Sequence, residues 1–257
     1  MLTHLDDLLQ KCHALGSWLL ILVAFVFYQG VLTCGFVYDD VHLILQNPFV
    51  KNPLLWKRIF LGSLWAFDGR GTQTGFYRPL PIFSYWLVCR VAGFDPGAYH
   101  LFQLVLYALS IWIVYRLGRK ILQNESAAFA GALLWTLHPL HVEAVAWVAS
   151  IPDIGCALFC LLGFWFFLRA ADHSPANLRW HAAAAAVYFP ALFFKEVAFS
   201  FPLLLLAYWF CHSSAEPWFR RALHWFPYVA AAAVCVVIRV KVMGHFSANS
   251  PFRGFTS

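Results

Sequence analysis

Long uncharged runs alternate with polar, proline-rich stretches along this chain. The first run, Trp18 to Val37, holds about twenty residues, enough for one α-helix to cross the roughly 30 Å hydrocarbon core of a bilayer. Further runs cover Tyr99 to Leu117, Ala127 to Leu137, Ile154 to Leu168, Trp180 to Cys211 and about Trp225 to Ile238. As a single helix Trp180 to Cys211 would be about 45 Å long at 1.5 Å per residue. Its one charged interruption, Lys195-Glu196, therefore predicts two short spans meeting there. Ala127 to Leu137 is short enough that a re-entrant helix competes with a crossing. The pattern predicts an all-α polytopic membrane protein with about seven transmembrane helices.

Between the first two runs lies a stretch of about sixty residues, Asp39 to Ala98, too polar to span and too rich in aromatics to be a slack linker. Trp56, Trp65, Phe76, Tyr77 and Trp86 suit a structured loop in the interfacial zone, where amphipathic rings are favoured. Within it Pro79 to Val91 is apolar for only about a dozen residues, which predicts a helix lying on the membrane or dipping into it. Arg116, Arg119 and Lys120 close the second run and mark the cytoplasmic side. The amino terminus and Arg220-Arg221 are then inside. Asp39-Asp40, a second loop at residues 138–153 and the Lys195-Glu196 tip are on the outer or lumenal face. The one N-glycosylation sequon, Asn124-Glu125-Ser126, falls in a cytoplasmic turn and is expected to stay unmodified.

Composition agrees with this reading. The chain is 61% hydrophobic and 12% charged, with a mean hydropathy of +0.67, which excludes a soluble domain with one core. Asp6, Asp7 and Lys11 precede the first run and no small-residue cleavage site follows it, so the run reads as a retained span. The net charge of +6 is scattered over run ends without a basic helix, and no nucleic-acid partner is expected. Arg239 and Lys241 fall on the outer side against the topological trend. Snorkelling to headgroups and a site for a phosphate-bearing lipid both account for them. The seven Cys include no CxxC, and Cys156 and Cys160 read as small buried hydrophobes.

Three polar clusters could carry chemistry. Asp39-Asp40 stands where the first run gives out, and carboxylates at a membrane edge are candidates for proton acceptance or cation binding, beside the plainer reading of a solvated helix end. In His138-Pro139-Leu140-His141-Val142-Glu143 a His and a Glu two apart do not share a helix face, which makes a poor metal motif. A proline-initiated helix at the interface explains the same residues. Lys195-Glu196 reads either as a charged turn or as a cation facing an anionic ligand, with the neighbouring acid holding it in place.

The ordered set FVYDD, LQNP, YRPLPIFSYWLVCRVAGFDPGAYH, LLWTLHPLHVEAVAWVASIPD, FFKE and VVIRVKVMG, from Phe36 to Gly244, resembles the GT-C class of polytopic glycosyltransferases. Within that class it is most similar to the transmembrane and tetratricopeptide-repeat O-mannosyltransferases and their bacterial counterparts. The resemblance implies one GT-C-type membrane module over residues 1–257, with a first outer loop at 39–98 and a second at 138–153. The downstream helices and repeats of such enzymes are expected to be absent from this chain. It also implies a hexosyltransferase that moves a sugar, mannose or another hexose, from a polyprenyl-phosphate donor in the membrane to an acceptor hydroxyl on a protein Ser/Thr or a glycan, with inversion. Asp39 is the expected general base and Asp40 a second carboxylate orienting the acceptor. Arg78, Lys195 and Arg239 are expected to hold the donor phosphate, and His138, His141, Glu143 and Asp153 to line the site from the second loop, with Glu196 in support. No cofactor is obligatory, and a divalent cation, Mg²⁺ or Mn²⁺, would sit on Asp39 and Asp40. A bacterial cytoplasmic membrane is expected ahead of the endoplasmic reticulum membrane. The competing classes are a non-catalytic subunit or truncated inactive module, and a lipid or solute transporter, whose usual paired repeats are not found here.

Overall fold

The computed structural model describes residues 2–68, 75–172, 178–211 and 218–243. Its α-helices longer than one turn are α1 (Leu2–Tyr28), α2 (Pro79–Ala92), α3 (Pro96–Leu122), α4 (Glu125–Thr136), α5 (His141–Ala146), α6 (Ile151–Asp172), α7 (Leu178–Tyr188), α8 (Phe201–Cys211) and α9 (Trp218–Met243). The tip of the first loop at 69–74 and the side chains of Arg220 and Arg221 lie outside the described residues.

Several helices begin on an Asx-Pro pair. Asp95 accepts the Gly97 N–H at 3.2 Å ahead of α3, and Asn47 and Asn52 do the same for the short helical turns at Pro48–Lys51 and Pro53–Leu61. The side chain satisfies an N–H that the helix leaves open, and the proline has none to satisfy. Asn124 of the sequon caps α4 in the same way, accepting the Ala127 N–H at 2.9 Å. Ahead of it Gln123 adopts a left-handed φ of 51° and ends α3.

The chain is an all-α polytopic membrane protein. Among the described residues Leu15–Thr33, Pro96–Leu122, Val148–Ala171 and Leu223–Met243 are long and apolar enough to cross a bilayer. The other three expected spans are helical but short, with 12 residues in α4 and 11 each in α7 and α8. At 1.5 Å per residue none of these three reaches across the core by itself. The first helical segment also stops before its apolar run does: a 3₁₀ turn ends at Thr33 and the chain continues without regular structure to Val37. The break in the Trp180 to Cys211 run is where it was expected, with Lys195 extended (φ −155°, ψ 146°) between the turns Ala191–Phe194 and Glu196–Ser200.

Helix α3 is the central strut and packs on α1, α4 and α6; α6 packs on α7, and α7 on α9. Close approach to α6 depends on two glycines, because a Cβ on Gly155 would run into the Phe194 ring and one on Gly163 into Tyr188. Trp18, Leu22, Val26, Leu203, Phe210 and Phe226 are exposed, as lipid-facing side chains are. At the end of the bundle away from Asp39, Arg116 lies 5.0 Å from the Trp112 ring and Arg169 5.0 Å from the Trp165 ring.

Candidate functional site

The acidic pair divides its work. Tyr38, with a left-handed φ of 48°, turns the chain from the irregular 34–37 stretch into one helical turn. Asp40 then points inward and is fully buried. One of its oxygens accepts the Val37 N–H at 3.0 Å and the other the Ala149 N–H at 2.7 Å, so it fastens the start of the first loop to the second. Burial pushes the Asp40 carboxyl above the usual range, while the two backbone N–H groups pull it down. Asp39 faces the other way and lines a cavity of about 260 Å³. The expectation that Asp40 orients an acceptor is therefore corrected, since its carboxylate is fully buried and held between two backbone N–H groups, out of an acceptor's reach. For the same reason the pair does not present two free carboxylates to a divalent cation. Among the described residues no three His, Cys, Asp or Glu side chains converge to supply a metal site.

The second loop is built on α3. His100, Gln103, Tyr107 and Ser110 are spaced three or four apart, so they form one buried polar stripe in an otherwise apolar helix. The Gln103 amide donates to the carbonyls of Ala144 and Trp147, and the Tyr107 hydroxyl donates to Thr136 O at 2.8 Å. His141 Nδ1 lies 2.7 Å from Trp135 O. A carbonyl only accepts, so Nδ1 carries the proton and Nε2 is left as an acceptor. Burial holds the His141 imidazole below its ordinary range. His138 does not join the site: its ring is exposed and its Nδ1 accepts the Leu140 N–H at 3.2 Å, which makes it a turn former. Tyr85 ties α2 to the same loop by donating to Val148 O at 3.3 Å.

The cations have carboxylate partners. Arg78 donates to Glu196 through Nε at 2.8 Å and Nη2 at 2.6 Å. Arg239 reaches the other Glu196 oxygen at 3.3 Å and Gly75 O at 2.5 Å. Glu196 thus clamps two arginines, and the acid that holds Lys195 is Asp153, at 2.5 Å, not its sequence neighbour. Arg239 is buried and faces the protein, which removes the snorkelling reading for it. It touches the site through Glu196.

Two cavities meet here. The smaller one is lined by Asp39, Arg78 and Tyr85; the larger, of about 570 Å³, is lined mainly by apolar side chains, among them Ile154, Phe201 and Leu204. Glu143, Ser150, Asp153 and Lys195 border both. Asp39, Glu143, Asp153, Lys195 and Arg78 thus line one cavity, whereas His141 borders only the larger one. Sequence reasoning passed over Gln103, Tyr107, Ser150 and Tyr85. The first two carried a signal, the helical spacing of polar residues inside an apolar run.

The family described as dolichyl-phosphate-mannose-protein mannosyltransferase matches residues 78–241. Protein O-mannosyl-transferase Tmtc2 of Drosophila melanogaster is 34% identical over 161 residues, which are 62% of this chain and 16% of the relative. Protein O-mannosyl-transferase TMTC1 of Mus musculus is 34% identical over 157 residues, 58% of this chain and 16% of the relative. For protein O-mannosyl-transferase TMTC3 of Homo sapiens the identity is 30% over 169 residues, 64% of this chain and 18% of the relative. The chain spans less than a fifth of these relatives. No solved structure matches it.

Proposed function

Because this chain belongs to the dolichyl-phosphate-mannose-protein mannosyltransferase family, we propose that it is the membrane module of a glycosyltransferase that moves mannose or a related hexose from a polyprenyl-phosphate donor to a protein Ser/Thr hydroxyl. The observation that carries this reading is the junction of two cavities: a smaller one of mixed lining that holds Asp39 and Arg78, and a larger, mainly apolar one, sharing Lys195 at their border. The larger cavity suits the first units of a lipid chain, the border suits its phosphate, and the smaller cavity, with charged side chains among aromatic rings, suits sugar and acceptor. Asp39 takes the acceptor proton as general base. The hydroxyl oxygen then bonds to the anomeric carbon as the bond from that carbon to the phosphate oxygen breaks, and one displacement inverts the centre. The phosphate leaves with the bonding electrons, and Lys195, with Arg78 beside it, compensates the added charge.

The relatives named above are animal proteins. They give the expected bacterial cytoplasmic membrane no support over the endoplasmic reticulum membrane. The side bearing the site is lumenal in one case and periplasmic in the other.

The test is transfer from polyprenyl-phosphate mannose to a Ser/Thr peptide by the chain reconstituted in bilayers, with the anomeric configuration of the product read by NMR. Inverted product that depends on Asp39 is expected. Retained configuration, or transfer unaffected by Asp39→Asn, would remove the base from this scheme.

A further inference from the structure

Lys195 and Glu196 are neighbours, yet their ion pairs differ in kind. Glu196 compensates Arg78 and Arg239, whose side chains are only 17% and 10% exposed. Such a pair is held because neither charge can be left alone in a buried place. Lys195 and Asp153 are 29% and 47% exposed, and both border both cavities. An ion pair open to solvent contributes little and can be exchanged. Among the described residues Lys195 is also the one Lys or Arg that lines the apolar cavity.

We propose that Lys195–Asp153 is an exchangeable pair: Asp153 occupies Lys195 while the site is empty, and the phosphate of a polyprenyl-phosphate ligand displaces it on docking. The inference rests on the donor reading above and adds the competition built into the site. A phosphate brings more acceptor oxygens than one carboxylate, and burial of its lipid chain in the apolar cavity supplies affinity that offsets the lost pair. The displaced Asp153 carboxylate stays in the cavity that holds Asp39 and Glu143. Uncompensated negative charge there favours proton uptake, so donor docking prepares the acceptor side to receive a proton from the hydroxyl.

The experiment measures binding of polyprenyl phosphate, polyprenol and inorganic phosphate to the full chain in bilayers. Wild type is compared with Asp153→Asn, Lys195→Gln and the double variant. Asp153→Asn should bind polyprenyl phosphate about two- to fivefold more tightly, the range that an exposed ion pair allows, with polyprenol binding unchanged. Lys195→Gln should bind it more weakly, and the double variant no better than Lys195→Gln, because the carboxylate acts only through the amine. Asp153→Ser is a second variant that shortens the side chain out of reach of Nζ. Equal or weaker polyprenyl-phosphate binding in both Asp153 variants, at the wild-type melting temperature, means that the carboxylate props Lys195 in place; that overturns the exchange and leaves the donor reading standing. A wild type that binds polyprenol as well as polyprenyl phosphate loses the donor reading itself, and the exchange with it. Inorganic phosphate binding as tightly as the lipid would overturn the lipid as the source of the displacing group.

Discussion

Asp39 and Asp40 are chemically identical and adjacent, and their separate duties follow from which way each side chain points. A positioned general base contributes typically about 100- to 10,000-fold, so Asp39→Asn should lose turnover by a factor in that range while binding donor normally in a single-turnover assay with saturating lipid. Asp40→Asn has a different consequence. Its amide has one acceptor oxygen for two backbone N–H groups, and the NH₂ faces Val37 or Ala149 donor to donor. Leaving a buried donor unsatisfied costs about 1–3 kcal/mol, visible as a lower melting temperature; wild-type melting with lost turnover would mean that Asp40 is the base. The pair's place at the end of an apolar run was legible in the sequence. That its second member is a fastener was not, because Ala149 is 109 residues away and offers only a backbone N–H, which no side-chain pattern announces. His141 adds a pH signature. Its imidazole is held below the ordinary value of about 6.5, so the unfolded chain binds the proton more readily than the folded one. Its contribution to stability is then complete above about 6.5 and is lost as pH falls through the lower folded value. Melting between pH 7.5 and 5.5 should drop more in wild type than in His141→Gln, and equal drops would show that the ring is not held neutral.

At the scale of elements, hydrophobic runs located the helices well because length and apolarity are local properties. The break at Lys195 could be read the same way, since thirty residues are too long for one crossing. The polar stripe on α3 could also have been read, as its members recur at helical spacing, but an apolar run long enough to span masks four polar residues in a composition count. What the sequence could not show is that the stripe holds a loop 41 and 44 residues downstream. Gln103→Leu should test that dependence. It removes the donor from two carbonyls in a low-dielectric setting, at about 1–3 kcal/mol, without adding much volume. The expected result is a lowered melting temperature together with faster hydrogen exchange confined to the α5 segment. Exchange that speeds up throughout α3 instead would assign Gln103 to the packing of its own helix.

For the whole molecule, the charge distribution decides which end faces which compartment. The site end carries Asp39, Asp40, Glu143, Asp153, Lys195 and Arg239, several of them paired or hydrogen-bonded across loops. The opposite end carries Arg116 and Arg169 on aromatic rings and Arg119, whose Nε sits 2.9 Å from Glu125. Arg119 and Lys120 fall in the last turn of α3 and Arg169 in the last turn of α6, which packs on it. Arg and Lys concentrate on the cytoplasmic side of membrane proteins, so the site end is expected to be outer or lumenal, as the runs alone implied. Cysteine accessibility can settle this in a background where the exposed Cys34 and Cys211 are serines. Leu140 is 80% exposed in the second loop, so Leu140→Cys should react with a membrane-impermeant maleimide added from the outer side. Lys120→Cys, at the end of α3, should react only after the membrane is opened. The sequon gives an independent reading, because Asn124 sits at the α3–α4 turn, at the end expected to be inner, and its side-chain oxygen accepts the Ala127 N–H. In a eukaryotic host it should stay unglycosylated; a glycan on Asn124 would place that turn in the lumen and invert the topology, and the proposed access of a lumenal acceptor to Asp39 would fall with it.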